Sequence, residues 1–167
     1  GEQTSGVSFV PHEKLMIARL LLEELMVDRI EVASARVSEG EFNAVRMICD
    51  WAARKNLLSR VEVLGFVDGK TSVDWIYNTG CRVINLLTKG SEKHCTFQLK
   101  KTLQEHLADI RQTVAYAIDK GMDVNVYLED WSNGIKDSPD YVFGLVDGLK
   151  DTGIRRFMLP DTLGILN

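Results

Sequence analysis

Five short apolar runs, at about 29–33, 61–66, 83–87, 123–129 and 154–159, alternate with helical patterns along this chain, and no other feature restricts its fold as tightly. Each run is rich in Val, Ile or Leu and breaks off into a polar or charged turn. The runs are continuous rather than strictly alternating, which implies strands covered on both faces. Strands joined by helices pair in parallel through right-handed crossovers. Two architectures fit that pattern: an open doubly wound sheet, or part of an eight-stranded barrel. The glycine-rich phosphate turns that commonly mark the first, GxGxxG and GxxxxGK[ST], do not occur.

The helical patterns are legible by spacing. One runs from about Pro11 to Met26, with Pro11 in the first turn, where its missing N–H costs nothing. A second, about 40–55, puts Phe42, Val45, Cys49 and Ala52 on one face. A shorter one covers roughly 70–79, and Leu103, Leu107, Ile110, Val114 and Ala117 form another apolar stripe. Ser138-Pro139-Asp140 opens the last, joining an N-cap candidate to a proline at the first helical position, ahead of Tyr141, Leu145 and Leu149. With no linker or low-complexity tract, residues 1–167 are expected to form a single domain.

Composition removes several function classes. A net charge of −4 supplies no basic stripe for a nucleic-acid backbone. No apolar run approaches the ~20 residues of a membrane helix. Cys49, Cys81 and Cys95 show no CxxC spacing, which suggests reduced thiols and a cytoplasmic setting. Cys49, on an apolar helix face, reads as core. His12, His94 and His106 form no metal-ligating pair; His12 is expected exposed and His94 packed in a loop, with the catalytic mouth as its other reading.

Reactive groups cluster at strand exits, where parallel α/β enzymes build their sites. Glu129 and Asp130 end the run at 123–129; a carboxylate there can orient water or move a proton, or merely cap the next turn. Tyr127 shares the face of Glu129 by two-residue periodicity, as pocket wall or interior. Thr162 follows Asp161 after the last run, as a donor to a substrate carboxylate or as a turn residue. Asn85, within an apolar run, needs hydrogen-bond partners if buried. Leu64 and Leu87 are core by default.

Longer stretches carry a resemblance. Gly1-Glu2-Gln3-Thr4-Ser5-Gly6, Asp28-Arg29-Ile30-Glu31-Val32-Ala33-Ser34, Tyr127-Leu128-Glu129-Asp130-Trp131-Ser132-Asn133-Gly134 and Leu159-Pro160-Asp161-Thr162-Leu163-Gly164 occur in order. Together they resemble the 2-isopropylmalate, homocitrate and citramalate synthases, citramalate synthase most strongly, with hydroxymethylglutaryl-CoA lyase more distant. The resemblance implies a (β/α)8 TIM barrel, present as a partial barrel holding strands two to six. It also implies that the family's metal ligands and oxo-acid arginine lie before Gly1 and after Asn167, so no metal ligand is assigned within this chain. The chain alone is then expected to be inactive.

By the same resemblance the chemistry is a Claisen-type condensation of acetyl-CoA with a 2-oxo acid, assisted by a divalent metal (Mn, Mg or Zn), in branched-chain amino-acid biosynthesis. Glu129 is the implied acid–base residue and Thr162 the implied ligand of the 2-oxo acid carboxylate. Leu64, Leu87 and Tyr127 would line the pocket, and three bulky groups favour pyruvate, hence citramalate. Isopropylmalate synthesis from 2-oxoisovalerate is the alternative, because apolar fit discriminates by only ~1–3 kcal/mol per methylene. A non-catalytic acyl-CoA or oxo-acid binding module and an unrelated open-sheet protein are the readings from other classes. The implied partners are the two small substrates and, for the complete enzyme, a second copy of itself in a homodimer. One departure from the family pattern is Val10, where relatives often cap the first helix with Ser or Thr.

Overall fold

A computed structural model describes residues 4–166; the Gly1-Glu2-Gln3 motif and Asn167 lie outside the described residues. The first helix, α1 (Pro11–Arg19), starts at its proline and runs on through a wider turn at Leu20–Glu24. Val10 has no side-chain acceptor, but its N–H donates to the Glu13 carboxylate at 2.9 Å, so half of a capping box holds the start. Then come β1 (Ile30–Ser34), α2 (Glu39–Arg54), β2 (Val61–Phe66), α3 (Thr71–Asn78) and β3 (Val83–Lys89). A short turn α4 (Glu92–His94) precedes α5 (Leu103–Asp119), β4 (Asp123–Glu129), α6 (Trp131–Asp137), α7 (Pro139–Leu149) and β5 (Arg156–Met158). The last strand is shorter than its apolar run, because its ends make no ladder partners.

All five strands pair in parallel in the order β1-β2-β3-β4-β5. A doubly wound sheet reverses its strand order at a switch point. Here the order never reverses, so successive right-handed crossovers lay the helices along one face. That face is the core. Val61, Val63, Ile84, Leu86, Val124, Val126 and Leu128 are sealed against Ile48, Ile76, Ile110, Val114 and Leu145 of the helices. Cys49 belongs to this core, as its helix face requires.

Ser138 does not cap α7. Its backbone is not in a capping conformation, and its hydroxyl donates to the Gly134 carbonyl of α6 while accepting the Glu92 N–H. Two helices meet at this residue, and the end of the first takes the hydroxyl that the start of the second would have used.

Candidate functional site

The opposite face of the sheet is where chemistry-bearing side chains gather, and strand register sorts them into levels. Glu31 and Glu62 are partners at the bottom. Above them Asn85, Asn125 and Arg156 stand side by side, with Leu64 beside Asn85. The next level is apolar and half-buried: Phe66, Leu87, Tyr127 and Met158. Lys89 and Glu129 close the face at the C-terminal strand ends.

The lower level is a continuous polar belt. Asn85 donates to Glu31 at 2.6 Å and Glu62 at 3.0 Å, and accepts from Asn125 at 2.8 Å. Arg156 donates to Asn125 at 3.1 Å and to Glu62 at 2.7 Å, and Arg29 adds a weaker bond to Glu62. The partners that a buried Asn85 demands are therefore drawn from three other strands, β1, β2 and β4. Glu31 stands at the sheet edge without an arginine; partial desolvation, with the Glu62 carboxylate nearby, raises its carboxyl above the ordinary range. Desolvation and the same two carboxylates push the Tyr127 phenol up.

At the mouth, Lys89 and Glu129 form an ion pair. Beside it Asp130 is buried with φ of +64°, a left-handed conformation that Asp tolerates better than most residues. Its carboxylate accepts from Ser91 at 2.8 Å and Asn133 at 2.7 Å, and lies 3.5 Å from His94 Nε2. Its N–H donates to the Thr162 hydroxyl at 2.9 Å. Asp161 accepts from Ser132 and from the N–H groups of Ile165 and Leu166, and the Ser132 bond leads in holding its carboxyl below the usual range. Hydrogen bonds through Asp130 and Ser132 tie the exits of β3, β4 and β5 into one loop cluster. Among the described residues no group of three or more His, Cys, Asp and Glu converges to hold a metal ion. These residues do not by themselves fit the divalent metal that the resemblance implies, so no metal-borne step is assigned to them.

Comparison with known proteins settles the lineage. The profile of the HMGL-like family matches residues 1–167. The chain belongs to the HMGL-like family. It is 35% identical over 168 residues to a 2-isopropylmalate synthase of Saccharolobus solfataricus, covering 100% of this chain and 41% of that protein. An (R)-citramalate synthase of Methanocaldococcus jannaschii is 31% identical, with 99% and 32% covered. A homocitrate synthase of Methanopyrus kandleri is 35% identical, with 99% and 40% covered. The chain thus spans about a third to two fifths of these relatives. Among solved structures, the HMG-CoA lyase of Bacillus subtilis superposes with a TM-score of 0.69 at 21% identity, covering all of this chain and 56% of that one. The HMGL-like fold is a TIM barrel, and these five parallel strands with their helices are part of a (β/α)8 barrel.

Within this HMGL-like chain, the structure brings Glu129, Tyr127 and Leu87 onto one face, Tyr127 and Leu87 as register partners. Thr162 joins them through Asp130 and is solvent-exposed, its hydroxyl oxygen occupied by that N–H while its own proton points to no partner among the described residues. Leu64 sits one level lower, opposite Asn85, so the level of Leu87 and Tyr127 is completed by Phe66 and Met158. Those two and Lys89 were missed by sequence reasoning. The signal was present: Phe66 is two residues past Leu64, and Lys89 two past Leu87. His94 packs against Asp130 at the mouth itself, which joins its two readings into one. No described helix is long and apolar enough to cross a membrane.

Proposed function

We propose that this site serves the condensation of acetyl-CoA with a 2-oxo acid, pyruvate first, to give citramalate. The observation that carries the reading is vertical order: a carboxylate, Glu129, stands at the strand exits directly above an apolar level formed by Leu87, Tyr127, Phe66 and Met158. Glu129 takes the acid–base step at the acetyl methyl, where losing a proton gives an enolate-like carbon that attacks the keto carbon; the former keto oxygen takes up a proton, and water then cleaves the thioester to release CoA and citramalate. Thr162 donates its hydroxyl proton to the oxo-acid carboxylate while Asp130 N–H fixes its oxygen. The apolar level receives the small alkyl end of the oxo acid, and Tyr127 and Leu87 limit its size. The similar proteins named as 2-isopropylmalate, citramalate and homocitrate synthases support the class of reaction.

The test is CoA release by the full-length protein from acetyl-CoA, with pyruvate against 2-oxoisovalerate, with and without divalent metal. Metal-dependent preference for pyruvate is expected. Preference for 2-oxoisovalerate would replace the pyruvate pocket with the branched-chain one, and absence of CoA release with every 2-oxo acid would remove the condensation reading.

A further inference from the structure

Lys89 ends β3 as Glu129 ends β4, and the two are register partners, so their side chains leave the sheet on one face at one level. They pair as ions with side chains only 15% and 26% exposed. An ordinary surface pair of two flexible chains contributes little, since holding both costs rotamer entropy. This lysine is not held by its own side chain alone. Its N–H donates to His106 Nε2 of α5 at 3.1 Å, and its carbonyl accepts from the Tyr141 hydroxyl of α7 at 2.9 Å. The next residue, Gly90, donates its N–H to the Glu129 carbonyl at 2.7 Å. Two helices and the neighbouring strand therefore fix the main chain that carries the ammonium. A glutamate at a strand terminus samples several rotamers, and a charge fixed beside it selects one.

We propose that Lys89 is a positioning residue for Glu129: carried on a main chain that His106 and Tyr141 fix, its partly buried ammonium pairs with the carboxylate and keeps it aimed over the apolar level where substrate reacts. The inference rests on the condensation reading. Glu129 would remain the group that moves the proton, and Lys89 acts only through it.

The experiment measures steady-state CoA release by the full-length protein, its preferred 2-oxo acid and divalent metal supplied, for wild type, K89M, K89R, E129Q and K89M/E129Q, with thermal midpoints beside the kinetics. K89M is expected to lose about 10–100-fold in kcat, the cost of a misplaced group, with KM for both substrates and the thermal midpoint retained. K89R should recover most of kcat, because a cation is restored. The double variant should be no slower than E129Q, because Lys89 has nothing left to position. A K89M enzyme with wild-type kcat, K89R impaired as deeply as K89M, or additive losses in the double variant would each overturn the inference while leaving the condensation reading intact. Wild-type protein that releases no CoA overturns both.

Discussion

Glu129 carries the strongest expectation for a single residue. Replacing it with Gln keeps the shape and removes the charge, so turnover of the full-length enzyme should fall roughly 10²–10⁴-fold while the thermal midpoint holds, measurable by CoA release and a melting curve. His106 makes a different kind of prediction. Burial pushes its imidazole down to about 4 from an ordinary 6.5, and its neutral Nε2 accepts the Lys89 N–H. The unfolded chain therefore binds this proton at higher pH than the folded one. The stability it confers is complete above about pH 6.5 and is lost as pH falls through about 4, up to about 3 kcal/mol. H106Q keeps an acceptor and cannot ionise, so urea unfolding at pH 7 and pH 4.5 should show a smaller acid loss than wild type. An equal loss in both proteins would assign the acid sensitivity elsewhere.

Elements meet most closely where α6 crosses the exit of β3. A methyl on Gly134 would lie 1.9 Å from the Gly90 carbonyl oxygen, and one on Gly90 would lie 2.5 Å from the Leu128 carbonyl. These are backbone atoms, which cannot rotate aside. G134A should therefore cost about 3 kcal/mol and loosen the loop that holds Ser91 and Asp130, seen as a lower urea midpoint. G40A is the control: within α2 its methyl meets only Ser38 Oγ at 3.6 Å, so a gain of about 0.5–1 kcal/mol is expected from helix propensity alone. Helix spacing showed α2 and α5 well because each buries one stripe. It could not show the Gly134–Gly90 contact, since glycine carries no pattern and the neighbour is 44 positions away in sequence.

At the scale of the molecule the sheet ends, among the described residues, in two edges, β1 and β5, with no ladder between them. Unpaired edges recruit further strands. The 167-residue chain is expected to self-associate in solution, and size-exclusion with light scattering would show a clean monomer if the edges are protected. The inner face makes the same point from within. Its polar belt links β1 to β5 through Glu31, Asn85, Glu62, Asn125 and Arg156, and sets a hydrophilic floor beneath the apolar level.

The order of the five strands and of the five longer helices, the parallel class, the core stripes of α2, α5 and α7 and the placement of Glu129, Tyr127 and Thr162 at or just past strand ends were legible in local sequence; the short helices α4 and α6 were not. Period and run length are local properties, written in residues a few positions apart. The tertiary structure alone decided which side chains share a level. Leu64 and Leu87 look equivalent as strand leucines, yet register sets Leu64 beside Asn85 and Leu87 beside Tyr127. Ser138 looked like a cap until α6 took its hydroxyl. Lys89 became a partner of Glu129 only when β3 and β4 aligned across 40 residues of chain. A one-residue slip between strands would turn each buried face away from the helices, so register is specified where that face is buried, and the groups that bury it come from distant parts of the chain that no single stretch of sequence contains.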